Sequence, residues 1–199
     1  MASVGRGRWD RTLSRDERRR AERARIVDAV VRAKAAHGRA LTLSHIALGA
    51  GVGRNTFYEH FIDVDAAIAA AEAQGVDAVS RVLAAAAVRA HTPIERLRSI
   101  ARAWIAFAVE HPELTEVIGG DVTGGALGAS GGTGLEARLR DVLGEARAAG
   151  AIGREPDPVR ICCVVGAFEA AARFAAGNVP VSTEETAETL TDLTLRAFR

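Results

Sequence analysis

The chain has 199 residues, of which 48% are hydrophobic and 26% charged, and it is predicted to be a globular, soluble protein of one sizeable domain or of a small domain joined to a larger one. No uncharged apolar run of about 18 residues occurs and no apolar stretch follows the basic N-terminus, so neither a membrane span nor a secretory signal is expected. The net charge of +1 hides an asymmetry, because residues 1–62 carry 13 Lys and Arg against 6 Asp and Glu, which favours a polyanionic partner for that part alone.

The sequence predicts an all-α protein of about nine helices behind a flexible basic arm, residues 1–13. Strands with period-2 alternation are absent from the pattern, and hydroxyl residues three positions before Glu mark helix starts at Ser14, Thr92, Thr133 and Ser182. Helices are predicted over about 15–37, 43–49, 54–61, 63–88, 93–110, a short piece after Pro112, 134–149, 157–176 and 183–198. Residues 119–134 contain eight glycines and are predicted to form a mobile loop.

The stretch TLSHIALGAGVGRNTFYEHF, residues 42–61, predicts a helix, a turn and a second helix. Thr42 is suited to cap the first helix, and Gly51 supplies the positive φ that a sharp turn requires. Val52, Phe57 and Phe61 share one stripe of the second helix and are expected to pack against Ile46 and the first long helix.

The opposite face of that second helix is polar and is expected to be exposed. It presents Arg54, Asn55, Tyr58 and Glu59, side chains that suit the edges of bases in a DNA major groove. Thr42, Thr56 and His60 are expected to reach phosphates.

These residues resemble the helix-turn-helix signature of the TetR family of bacterial regulators. The resemblance covers about residues 14–68, with matches at Thr42, Ile46, Ala47, Ala50, Gly51, Val52, Thr56, Tyr58, His60, Phe61 and Ile68. Two positions depart from the pattern: Gly53 stands where the family has Ser, and Val64 where it has Lys. The arginine-rich N-terminus, including Arg6, Arg8 and Arg11, is expected to replace the phosphate contact of that Lys.

The resemblance implies a helix-turn-helix DNA-binding domain at 14–62 and a ligand-binding and dimerisation domain at 63–199. It implies a cytoplasmic repressor that binds a palindromic double-stranded operator as a homodimer and is released by a small effector. By resemblance, Arg54, Asn55 and Tyr58 contact bases, and Thr42, Thr56, Tyr58 and His60 contact the backbone.

The same resemblance implies an effector pocket in the second domain, for which the candidate lining residues are Trp104, Phe107, His111 and Phe168. Apolar walls imply a small apolar or aromatic effector, with the glycine-rich loop as its gate. The last two helices carry apolar residues at spacings of three and four, which predict a four-helix dimer interface. Its candidate residues are Ile161, Val165, Phe168, Ala172, Leu190, Leu193 and Ala197.

Two other classes of protein stay open at this stage, an all-helical enzyme and a nucleoid-type protein that binds DNA without operator specificity. An enzyme needs a convergent set of nucleophile, base or metal ligands, and the sequence pattern contains none, so no cofactor and no metal are expected. The adjacent Cys162 and Cys163 point about 100° apart on a helix, which suits small core residues better than a shared metal. They are the only cysteines and favour a reducing cytoplasm.

Overall fold

A computed structural model of the protein describes residues 14–88, 90–119, 134–177 and 180–199. Within these ranges the regular structure is helical, as the sequence predicts. The nine α-helices of the described residues are α1 (Arg15–His37), α2 (Leu43–Ala50), α3 (Arg54–His60), α4 (Val64–Val88), α5 (Pro93–Glu110), α6 (Pro112–Gly119), α7 (Leu135–Ala148), α8 (Pro158–Ala176) and α9 (Thr183–Ala197). A 3₁₀ turn, Gly38–Ala40, joins α1 to α2.

Side-chain caps start several of these helices where the sequence predicts them. Ser14 and Glu17 exchange hydrogen bonds with each other's backbone N–H groups at the start of α1, and Thr92 and Glu95 do the same at α5. The Ser182 hydroxyl accepts a hydrogen bond from the Glu185 N–H at α9. The box predicted at Thr133 and the glycine-rich segment, apart from its end residues 119 and 134, lie outside the described residues.

The first apolar cluster joins α1, α2 and α3 to the beginning of α4. Ile26, Ile46 and Phe57 are among its fully buried members. Ala67 and Ala71 of α4 and Val117 of α6 complete it. The core of the helix-turn-helix region therefore extends past the predicted boundary at 62/63 into α4.

The second cluster contains the end of α4 and the helices α5, α7, α8 and α9. Val79 and Leu83 bring α4 into this cluster. Because α4 contributes to both clusters, a displacement of this helix must repack one of them.

Polar contacts also fasten α4 to α1. The Lys34 Nζ atom lies 3.2 Å from a carboxylate oxygen of Glu72, and the Gln74 amide donates to Asp28 at 3.3 Å. The position of α1 and its neighbours is thereby tied to the position of α4.

No helix among the described residues is long and apolar enough to cross a membrane.

Candidate nucleic-acid interface and internal cavity

A glycine turn separates α2 from α3. Gly51 adopts the left-handed conformation, φ 65° and ψ 35°, where a side chain would be strained. The Val52 N–H donates to the Ala47 carbonyl at 3.0 Å and the Gly51 N–H to Leu48 at 3.2 Å, which closes the end of α2 in a Schellman arrangement. The sharp turn between α2 and α3 is therefore formed as the sequence predicts.

The two faces of α3 differ as predicted. Phe57 is fully buried, and Phe61, directly after the helix, is buried in the same cluster. Arg54, Asn55 and Tyr58 are exposed, so three side chains that suit base edges lie on the solvent face of a short helix.

A cation–π contact joins two side chains of this exposed face. The Arg54 guanidinium carbon lies 5.7 Å from the Tyr58 ring centroid, one helical turn away. The Tyr58 ring in turn meets the buried Phe57 ring edge to face, with centroids 5.5 Å apart. The fixed core therefore supports the ring over which the guanidinium lies.

Among the candidate phosphate contacts, Thr42 is exposed and Thr56 is half-buried. Thr42 precedes α2, and its backbone N–H donates to the His45 Nδ1 atom at 3.3 Å. The His45 ring stacks on that of His37 with centroids 3.8 Å apart. This contact joins the end of α1 to the start of α2.

His60 does not lie where the sequence interpretation expects it. Its side chain is only 2% exposed, and its Nε2 atom lies 3.3 Å from the Glu22 carboxylate of α1. A ring enclosed between helices cannot reach a phosphate, so His60 fastens α3 to α1 in this structure. The expectation is wrong because the sequence pattern does not indicate the direction of a polar ring at the end of a short helix.

The first two turns of α1 provide a basic surface. Arg15, Arg18, Arg19 and Arg20 are all exposed. The candidate contacts Arg6, Arg8 and Arg11 lie outside the described residues.

A small cavity of about 30 Å³ lies between α5, α6 and α8. Trp104, Phe107 and Ala108 of α5 line it with Thr115 and Ile118 of α6 and with Glu169, Ala172 and Arg173 of α8. This volume is about that of one water molecule, so an aromatic compound needs the walls to move apart.

Two of the four residues predicted to line a pocket do border this cavity, namely Trp104 and Phe107. Phe168 does not line it: the side chain is fully buried in the core, and its backbone carbonyl accepts a 2.8 Å hydrogen bond from Trp104 Nε1. Spacing along a helix cannot distinguish a core phenylalanine from a lining one.

His111 also lies elsewhere. It is exposed after α5 and borders an open polar cleft of about 400 Å³ between α1, α4 and α6. Its ring contacts that of Phe107, with centroids 5.0 Å apart.

Glu169 is a cavity residue that the apolar pattern did not indicate. Burial raises the pKa of its carboxyl, an effect opposed by the charge of Arg173 one turn later. A carboxylate among the apolar positions of α8 was the available sequence signal.

Five of the seven residues predicted to form the dimer interface are buried in the core of the single chain, so the prediction is wrong for them. Ile161, Val165, Phe168, Ala172 and Leu190 are buried inside the single chain, and of the predicted set Leu193 is exposed and Ala197 is half-buried. The exposed apolar surface of α8 is its other face, where Val159 is 72% and Phe174 59% exposed. The helix is apolar on nearly all sides, so its spacing did not reveal which stripe faces the core.

Cys162 and Cys163 are free and exposed on that outer face, so the expectation that they fill the core is wrong. No group of three or more His, Cys, Asp or Glu side chains among the described residues is arranged to hold a metal ion.

Comparison with solved structures identifies the architecture. A TetR-like transcriptional regulator from Rhodococcus sp. RHA1 matches with a TM-score of 0.71 at 20% sequence identity, over 92% of this chain and 97% of that one. The chain has the fold of TetR-family regulators.

Two further solved structures match this chain along most of its length. The fatty acid degradation regulator FadR from Bacillus halodurans matches with a TM-score of 0.73 at 18% identity, over 87% of this chain and 94% of that one. The regulator FadR from Bacillus subtilis, solved in complex with stearoyl-CoA, matches with a TM-score of 0.71 at 16% identity, over 88% and 99%. No protein-family model and no curated protein sequence matches the chain.

Proposed function

We propose that this chain is a TetR-like transcriptional regulator, a repressor that binds a palindromic operator as a homodimer and is released by a small apolar or aromatic effector. The observation that carries the proposal is the division of α3 into two faces. Phe57 is buried in the core, while Arg54, Asn55 and Tyr58 are exposed together on a fold that transcriptional regulators share.

The DNA contacts of the proposal fall into two classes. Arg54, Asn55 and Tyr58 read base edges, whereas Thr42, Thr56 and the arginines of α1 hold phosphates. Arg6, Arg8 and Arg11 add sequence-independent affinity. His60 is left out of this set because its ring is enclosed.

Dimerisation is proposed through the outer face of α8 together with Leu193 of α9. Val159 and Phe174 are large apolar side chains left in water by the single chain, and a two-fold copy covers both. The α3 helices of the two copies, spaced about one DNA turn apart, ~34–36 Å, then meet successive major grooves.

Release is proposed to act through α6. Thr115 and Ile118 line the cavity, while Val117 of the same helix is buried in the first cluster with α1 and α4. An effector that opens the small cavity is proposed to displace α6. This displacement disturbs the first apolar cluster, which also supports α3. The effector releases DNA only if it binds the displaced arrangement better.

Transcription from a reporter promoter that carries the operator selected by this chain tests the repressor role. Deletion of this gene is expected to raise that transcription, and restoring the wild-type chain is expected to lower it. Complementation with Arg54→Ala is expected to fail. A fall in transcription on deletion contradicts repression and makes the chain an activator.

A further inference from the structure

Glu169 is the one carboxylate among the residues that line the cavity, where Thr115 and Arg173 are the other polar side chains. Glu169 lies on α8 among Trp104, Phe107 and Ile118, and its side chain is half-buried. An ionised group at such a half-buried site loses part of its hydration, and a cationic partner compensates for that loss.

Glu169 lacks that compensation in this structure. Among the described residues, no group donates a hydrogen bond to its carboxylate and no cation lies within ion-pair distance of it. The charge of Arg173 acts on it from one turn away, but this side chain is exposed at the cavity rim. Burial outweighs that charge, since the pKa of Glu169 is raised.

The aromatic walls suit the same kind of partner. The Trp104 N–H is already donated to the Phe168 carbonyl, so this side chain offers its ring and not a hydrogen bond to a ligand. Rings of Trp and Phe attract organic cations through their negative faces. Two rings and one unpaired carboxylate in one cavity form the usual elements of a site for a hydrophobic ammonium group.

We propose that the effector is a hydrophobic organic cation, an ammonium group carried on an apolar or aromatic body, and that Glu169 is its counter-ion. The proposal rests on the proposed function only in calling this ligand the effector. A neutral apolar compound leaves the Glu169 charge desolvated and unpaired, and an anion adds repulsion. A cation pairs with the carboxylate as α6 moves outward to admit the apolar body.

Three probes of similar size separate these chemistries. Phenyltrimethylammonium and tert-butylbenzene have nearly the same shape and differ in charge, and benzoate carries the opposite charge. Ligand-observed NMR titrations of the full-length chain without DNA give the three affinities. The cation is expected to bind at least about tenfold tighter than the neutral compound, with benzoate weakest.

Matched variants test whether Glu169 causes the preference for the cation. Glu169→Gln is expected to bring the ratio of cation to neutral affinity close to one, while Glu169→Asp retains most of the preference. Glu116→Gln removes the same charge from an exposed position of α6 and leaves the ratio unchanged. Thermal melts of each variant confirm folding, and the affinity ratio cancels any general loss of binding-competent protein.

Equal or tighter binding of tert-butylbenzene or benzoate by the wild-type chain overturns the proposal. It is also overturned if Glu169→Gln keeps the cation preference, or if none of the probes binds. A separate operator titration distinguishes the two proposals. If the cation binds through Glu169 without weakening DNA binding, the cation site stands and the release mechanism fails.

Discussion

The guanidinium carbon of Arg54 lies 5.7 Å from the ring centroid of Tyr58, and both side chains are exposed on α3. A long side chain in water samples many rotamers, and ordering it on DNA costs free energy. The ring one turn away holds the guanidinium near the solvent face of the helix in the free chain. If α3 reads bases as proposed, Tyr58 is expected to act on recognition through Arg54 as well as through its own hydroxyl.

Arg54→Ala is expected to cost ~1–3 kcal/mol of binding free energy on the operator, because a bidentate base contact is lost. Specificity should relax at one operator position. Competition titrations against single-base operator variants measure both quantities. An equal loss on random DNA means that Arg54 contacts only phosphate.

Tyr58→Phe and Tyr58→Leu separate the two roles of Tyr58. The Phe variant keeps the ring beside Arg54 and loses the hydroxyl, whereas the Leu variant loses both. The Leu variant is expected to lose more operator affinity, by ~0.5–1 kcal/mol, because the exposed cation–π contact disappears. Identical affinities in the two variants rule out a role for the ring in orienting Arg54.

The contact between α4 and α6 can be tested with one methyl group. A Cβ atom at Gly75 comes within 2.8 Å of Ile118 Cγ1, whereas a Cβ atom at Gly144 of α7 meets nothing within 4 Å. Gly144→Ala is expected to raise the free energy of unfolding by ~0.5–1 kcal/mol, since Gly is costly inside a helix. Gly75→Ala is expected to lower it by ~1–3 kcal/mol through overpacking, and to change the effector concentration needed for release. If denaturant titrations show equal stabilisation of both variants, α6 moves away from the added methyl group without a cost in stability.

Two phenylalanines of α8 should behave oppositely. Phe174→Ser is expected to weaken the dimer with little change in monomer stability, because the side chain is 59% exposed in the single chain. Phe168→Ala is expected to lose ~3–5 kcal/mol of stability, because it empties a fully buried position. Sedimentation at several micromolar concentrations and thermal melts separate the effects. A monomeric wild-type chain, or a Phe174→Ser dimer of unchanged strength, contradicts the proposed interface.

Glu169 should make stability depend on pH in a definite direction. Its pKa is raised by burial, so the folded state holds the proton more tightly than the unfolded state does. The ionised side chain therefore destabilises the fold above the raised pKa, and this penalty fades as the pH falls to the usual range of Glu. Glu169→Gln is expected to be more stable than the wild type near neutral pH and equally stable in acid. If the difference is independent of pH, burial of the ionised side chain is not its cause.

Removal of residues 1–13 takes away three arginines and one aspartate. The plot of log K against log salt is expected to flatten by up to ~2–3 units, because fewer counterions are released on binding. An unchanged slope shows that the arm does not meet DNA. Altered specificity indicates instead that the arm enters a minor groove.

The helices could be predicted from the sequence because local signals mark their ends. Ser14, Thr92 and Gly51 each act through a hydrogen bond or a dihedral angle that depends on few neighbours. The two faces of α3 were also predictable, since only one face of that short helix is apolar.

The helix α8 was not predictable to the same degree. Its apolar residues surround the axis, so Phe168 and Phe174 cannot be ranked for burial until α5 and α9 are in place. The ring of His60 and the place of Glu169 beside the cavity depend on residues of other helices. Such contacts join positions far apart in sequence and leave no periodic pattern.

If the proposed function holds, α3 reads a symmetric DNA sequence. The measurement is selection of random duplex DNA by the full-length chain, followed by titration of the enriched sequence at several salt concentrations. A two-fold symmetric sequence with half-sites about one helical turn apart is expected, with a preference over random DNA that persists as salt rises. Enrichment of no symmetric sequence, with the same affinity and salt slope on all DNA, means that α3 reads no operator and favours a nucleoid-type protein.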